Sequence, residues 1–291
     1  MRLMIQHETR YDYDVTPSSV IEMLRLTPSN SDSQSVRDWR ISVSGDVALQ
    51  RYEDAFGNIT HTFTSAVGGE GLIISATGTV ETSATSGVIS GGRERLPVGV
   101  YLRETDFTEA TADLKALSDE ARAACDGTAL DLAHRLNVLI NRHMAFEPNT
   151  THTNTTADEA WQAKSGVCQD LTHILLAAAR ACGLPARYVA GYQYNGGHAR
   201  DAHAGHAWAE IYIDNLGWVG FDPTAGGSID ESYVRVSIGL DYLSAAPVRG
   251  STFGGSGEGL HVNVTMEEPG GYLRPLGGLS PMSQSQLRQE L

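Results

Sequence analysis

The chain has 291 residues with 41% hydrophobic content, which is enough for one large core or two smaller ones, and two domains are expected. Its 35 acidic against 21 basic residues leave a net charge of −14, which repels a phosphate backbone and sets nucleic acid aside as a partner. No apolar run reaches bilayer-spanning length, and residues 1–7 lack the apolar region of a signal peptide, so no membrane association and a cytoplasmic location are expected.

The first hundred residues carry the period of strands. Leu3, Ile5 and His7 alternate with polar neighbours, as do Trp39, Ile41 and Val43, and then Leu72, Ile74 and Ala76. Gly57-Asn58 marks a turn between two such runs, and the spacing predicts an antiparallel sandwich or a related small β-domain over residues 1–100. Residues 83–95 are rich in Ser, Thr and Gly, the composition of a linker.

Helical periodicity begins after Thr108 and stops at Asp126-Gly127. A second helix buries Leu130, Ala133 and Ile140 and ends before Glu147-Pro148-Asn149. His134, His143 and His152 lie in this region and are given no role, because isolated histidines are usually packed or solvated. Thr156 and Glu159 have capping-box spacing and start a short helix through Trp161. Gly166 breaks that helix. Leu171, Ile174, Leu175, Ala178 and Cys182 then recur at helical spacing up to Gly183-Leu184-Pro185, which puts Cys168 in the opening turn of a new helix.

A thiol at a helix start is a candidate nucleophile, because free N–H groups and the helix dipole favour the thiolate there. Cys182, on the apolar face, reads as a core residue, and three cysteines in all (with Cys125) fit reduced thiols. After this helix the period switches to two. Residues 186–192, 206–213 and 218–222 read as strands, the last two joined by a turn at residues 214–217. In an antiparallel pair, His206 at the start of one strand and Asp222 at the end of the next lie at the same end of the sheet. Cys168, His206 and Asp222 are therefore candidates for nucleophile, base and orienting carboxylate. His203 is a rival base, and His198, Asp201, His203 and His206 are a weak zinc candidate on a glycine-rich loop. No metal or cofactor is expected.

The run Gly166-Val167-Cys168-Gln169-Asp170, the following Gly183-Leu184-Pro185-Ala186-Arg187-Tyr188-Val189, then His206-Ala207-Trp208 and Trp218-Val219-Gly220-Phe221-Asp222-Pro223-Thr224 resemble the core of the transglutaminase-like superfamily. Leu24-Arg25-Leu26-Thr27-Pro28 and Asp54-Ala55-Phe56-Gly57-Asn58 resemble the N-terminal β region of its bacterial branch. The resemblance implies an α+β, papain-like core, with the cysteine helix packed on an antiparallel sheet and preceded by the N-terminal β-domain. With the linker composition near residue 95 and the weakly patterned last residues, the chain divides into residues 1–100, a catalytic domain over 101–275 and a tail over 276–291. The resemblance also implies Cys168 as nucleophile, His206 as general base and later acid, and Asp222 as orienting carboxylate.

The expected activity is a cysteine peptidase or amidase working on a peptide or amide through a thioester. A transglutaminase, which passes the acyl group to an amine, and a non-catalytic peptide-binding module are the alternatives. One oxyanion donor is expected from the backbone N–H of Cys168, with Gln162 resembling the papain-type oxyanion glutamine by spacing alone. Asp170 is expected to be structural. Leu240 stands where the branch carries an arginine in a Gly-Arg-Asp-Tyr run, which removes a bidentate contact. Residues 250–259 read as a glycine- and serine-rich loop near the site, and 261–266 as a closing strand. Oligomeric state is left open.

Overall fold

The computed structural model of the chain describes residues 1–45, 47–66, 71–92, 94–148, 150–196 and 205–268. Alternation sets the first element: Leu3, Ile5, His7, Thr9 and Tyr11 all point inward along β1 (Arg2–Val15). β2 (Ser19–Thr27), β3 (Gln34–Val43), β4 (Gln50–Glu53), β5 (Ile59–Ser65) and β6 (Leu72–Thr82) follow, with Gly57-Asn58 in the turn between β4 and β5. The Ser/Thr/Gly stretch contains a two-residue strand, β7 (Val88–Ile89). Two amphipathic helices come next, α1 (Ala112–Ala124) and α2 (Ala129–His143), then β8 (Ala145–Phe146). The capping box of Thr156 and Glu159 opens α3 (Ala157–Ala163), in which each residue accepts from the other's backbone N–H.

Lys164 takes a left-handed conformation and turns the chain into β9 (Ser165–Gly166), which leads into α4 (Cys168–Ala181). Gly183, at φ +78°, stops α4: its N–H bonds the Arg180 carbonyl and that of Leu184 bonds Ala179, a pairing that absorbs carbonyls left open at the helix end. β10 (Ala186–Gln193), β11 (His206–Ile213) and β12 (Gly217–Asp222) follow, then β13 (Gly227–Ser228), β14 (Tyr233–Gly239), the short α5 (Tyr242–Ala245), β15 (Val248–Phe253) and β16 (Ser256–Glu267).

These elements form an α+β molecule. The central sheet runs β13-β12-β11-β10-β14, antiparallel throughout, with β7 added along the β12 edge. One face, through Tyr188, Ala190, Ala207, Ala209, Ile211, Val219 and Phe221, joins the apolar stripes of α1 to α4 in a single core. The other face carries Val189, Trp208, Trp218 and Tyr233, packed with Ile89 and Tyr101. Two four-stranded sheets, β16-β1-β6-β3 and β15-β2-β5-β4, enclose a separate core around Val20, Leu24, Phe63 and Ile74. Residues 250–259, expected as a loop near the site, instead lie mostly in β15 and β16, where they complete the sheets begun by β2 and β1.

The sandwich is joined to the central sheet through β10 and β14. Leu3, Ile5 and Val80 pack on Tyr192, Val234 and Val236. Two side-chain amides imitate a neighbouring strand along β14. Gln34 donates to the Arg235 carbonyl and accepts from its N–H (both 2.8 Å), and Asn58 does the same with Ile238 (both 2.8 Å). Asn58 also donates to Asp54, whose carboxylate is paired with Arg25 at 2.9 Å. The Asp54 to Asn58 motif thus serves as a docking clasp for the central sheet.

Candidate active site

Cys168 is the first residue of α4, so its N–H has no intrahelical acceptor. Asp170 builds the corner that presents it. Its Oδ2 accepts from the Val167 N–H at 2.8 Å and from the Thr151 hydroxyl at 2.6 Å, tying the helix start to the chain ahead of α3. Gln169 adds a bond to the Thr153 carbonyl at 2.9 Å. Asp170 is fully buried, and burial pushes its carboxyl above the usual range, partly offset by those two donors. This is the structural role expected of it. On the other side of the turn, β9 lies parallel to β8, and Glu147 donates to the Gly166 carbonyl at 3.0 Å.

His206 opens β11 and Asp222 closes the antiparallel β12. Ala209 pairs with Phe221, so Asp222 falls near the start of β11, on the sheet face that carries Trp208 and Trp218. His206 Nε2 lies 2.8 Å from Asp222 Oδ2. Cys168 lies close enough to the imidazole to favour its charged form, and the bond to Asp222 occupies Nε2. Burial alone would lower the imidazole's pKa, but the bond to Asp222 and the proximity of Cys168 outweigh it and raise it to about 10. Asp222 is buried, which would raise its carboxyl, yet the bonds from His206, Tyr233 and the Thr224 N–H bring it below the usual range. The three residues therefore converge: a thiol at a helix start, an imidazole that feels it, and a carboxylate bonded to that imidazole. Such a set can move a proton between sulfur and ring and hold the resulting charge pair.

The other residues singled out in the sequence lie elsewhere. Gln162 is on the exposed side of α3, bonded to Asp113 at 2.6 Å, and does not serve the corner of Cys168. His134 packs edge-on against Phe221, His143 against Trp161, and His152 is exposed. Cys125 and Cys182 are free thiols at the ends of α1 and α4, and burial pushes the Cys182 thiol up. His198, Asp201 and His203 lie outside the described residues. Among the described residues no cluster of His, Cys, Asp and Glu could hold a metal ion. Leu240 packs in the apolar layer beneath the sheet, and its carbonyl accepts from Arg180 at 2.6 Å. The adjoining Asp241 caps α5, and the Tyr242 N–H donates to His173 of α4 at 3.0 Å. Tyr233, whose hydroxyl donates to Asp222 Oδ2 at 2.8 Å, has no place in the motif reading. The signal available for it was only an aromatic at a strand start, which is more often a packing residue.

Residues 115–223 match the profile of the transglutaminase-like superfamily core, and residues 3–81 that of the bacterial transglutaminase-like N-terminal region. An uncharacterized protein of Mycobacterium leprae is 27% identical over 279 residues, 90% of this chain and 97% of its own. The protein-glutamine gamma-glutamyltransferase of Pseudomonas aeruginosa is 30% identical over 148 residues, 46% of this chain and 22% of its own. The crystal structure of a Cytophaga hutchinsonii protein, named as a proposed cysteine protease, superposes with a TM-score of 0.74 over 97% of this chain and 98% of its own, at 18% identity. The fold of the described residues is thus shared with that structure. With both parts of its architecture matched, the chain belongs to the transglutaminase-like superfamily, as a member with the bacterial N-terminal region.

Proposed function

We propose that the protein is a cysteine-dependent amide or peptide hydrolase that works through a thioester on Cys168. The observation that carries this reading is the 2.8 Å bond from His206 Nε2 to Asp222, on an imidazole influenced by a cysteine at a helix start. His206 takes the thiol proton, and sulfur attacks the amide carbonyl carbon. The Cys168 N–H faces the developing oxyanion. When the C–N bond breaks, His206 returns the proton to the leaving amine. Water then attacks the thioester while His206 takes its proton, and collapse releases a carboxylic acid and restores the thiol. The substrate needs only a carbonyl that can reach a corner between α3 and α4.

A second reading has one observation in its favour: the 148-residue match to the Pseudomonas glutamyltransferase. There an amine would replace water in the last step. Incubation with a glutamine peptide and excess primary amine separates the two. Free carboxylate with little conjugate supports hydrolysis, and predominant conjugate makes the enzyme a transferase. A binding module is tested by thiol labelling, in which Cys168 should react far faster than Cys125. Equal rates would remove catalysis from the reading altogether. Quenching the parent protein in cell extract with acid, which preserves a thioester, and weighing the acyl group on Cys168 would identify the substrate.

A further inference from the structure

Asp222 Oδ2 has two donors. His206 Nε2 reaches it at 2.8 Å, and the Tyr233 hydroxyl reaches it at the same distance. The remaining oxygen, Oδ1, accepts from the Thr224 N–H at 2.8 Å. The Tyr233 proton has one direction open to it, because the phenolic oxygen itself accepts from Gln193 Nε2 at 2.6 Å. A chain of donors therefore runs Gln193, Tyr233, Asp222, His206. Tyr233 is also packed into place, its ring centroid 5.4 Å from Trp208 and 5.9 Å from His206. The ring of a mere filler would make these contacts without a hydroxyl placed on the one oxygen that the imidazole uses.

We propose that Tyr233 is a positioning residue of this site: its hydroxyl, oriented by Gln193, shares Asp222 Oδ2 with His206 and so limits how much of the carboxylate's charge the imidazole receives. The proposal rests on Cys168, His206 and Asp222 being the reacting set. Its physical content is a competition. Two donors on one oxygen each receive less of its negative charge than either would alone. With the hydroxyl gone, Asp222 holds the imidazolium more firmly, which helps the thiolate form but makes His206 a poorer acid toward a leaving amine. Tyr233 therefore tempers the carboxylate, and the two halves of the reaction are affected in opposite senses. Among the described residues, the titratable groups facing His206 are Cys168, Asp222 and Tyr233, and those facing Tyr233 are Asp222, Asp230 and His206.

The test uses the full chain and reads the thiol, so it needs no substrate. The rate of Cys168 alkylation by iodoacetate, located by mass, is followed into alkaline solution. An anionic reagent prefers a thiolate beside an imidazolium, so the alkaline limb reports loss of the ring proton. Tyr233→Phe keeps the ring and removes the hydroxyl. Its limb is expected to move upward by about half a pH unit or more, and Gln193→Ala to move it in the same direction by less. If the parent labels Cys168 no faster than Cys125, the reading of the site falls and this proposal with it. If the parent shows the enhanced rate but both variants keep its limb, Tyr233 is a packing residue and the proposal alone is overturned. A limb that moves downward overturns it as well. Should Tyr233→Phe fold poorly by circular dichroism, the Gln193→Ala limb decides on its own, upward for and unmoved against.

Discussion

A Cβ placed on Gly166 would fall 2.7 Å from Asp170 Oδ2 and 2.8 Å from Asp170 Cβ. The glycine is thus demanded by the buried carboxylate that caps the cysteine helix, and only backbone can pass between Ser165 and Val167. Gly166→Ala is expected to cost about 1–3 kcal/mol through overpacking. It should also shift the turn that leads into Cys168, slowing thiol labelling by more than the fraction unfolded explains. Denaturant unfolding beside the labelling rate measures both. A variant with parent-like values in each would mean that Asp170 moves aside at no cost.

Two buried histidines make the fold sensitive to acid. His7, bonded to Tyr192 between the sandwich and the central sheet, is lowered by burial to about 4. His173, on the cysteine helix with the Tyr242 N–H on its Nε2, is lowered by burial to about 3. In the unfolded chain both rings take a proton near pH 6.5. Stability is therefore fully present above that value and is lost as pH falls toward 4, by about 3 kcal/mol for His7 alone. Urea unfolding in steps of pH should show this slope, and His7→Asn should flatten it relative to the parent. Parallel slopes in parent and variant would clear His7 of the effect.

The sheet-end geometry of His206 and Asp222 was legible because it needs only local signals: a period of two, a tight turn at residues 214–217 and consecutive strands. The corner at Cys168 was legible for the same reason, since a capping box, a glycine break and a 3.6-residue period all lie within one short stretch. Tyr233 was not, because its meeting with Asp222 depends on β14 pairing with β10 across a register shift at Ala190/Gly191. Local pattern carries no trace of such a pairing. Residues 250–259 misled for a different reason. Their glycines answer close approach instead of looseness: a side chain at Gly250 would collide with the Glu22 carboxylate of the neighbouring strand, and one at Gly257 with Asp14. Gln162 was placed by its residue count to Cys168, and that count crosses the turn between α3 and α4, so it carries no information on which face of α3 the side chain takes.

The clasp between Asn58 and Ile238 should be worth more than its size suggests. Removing the amide leaves a buried strand N–H and carbonyl without partners, and such groups are expensive in an apolar surrounding. Asn58→Ala is expected to cost roughly 2–4 kcal/mol. Asn58→Asp should be no better, since it can accept from Ile238 but cannot donate, and it adds a charge beside Asp54. Because β14 carries Tyr233, both variants should also broaden the environment of that ring, read by proton NMR. Full stability in Asn58→Ala would show that water replaces the amide along β14.

The charge on Asp222 should govern the alkaline side of the site. His206 is raised to about 10, so its contribution to stability is complete below pH 6.5 and is lost as pH rises toward 10. Asp222→Asn keeps an oxygen for Nε2 but removes the charge that holds the imidazolium. The alkaline limb of thiol alkylation should then move to lower pH, opposite to the change expected for Tyr233→Phe. Turnover should drop by at least about a hundredfold, because the ring loses both its orientation and its counter-charge. Stability of the variant at alkaline pH should approach that of the parent, since the interaction being lost there no longer exists. A variant whose limb stays where the parent's lies would mean that Cys168 alone sustains the imidazolium, and Asp222 would be left holding the turn at Thr224 and the Tyr233 hydroxyl.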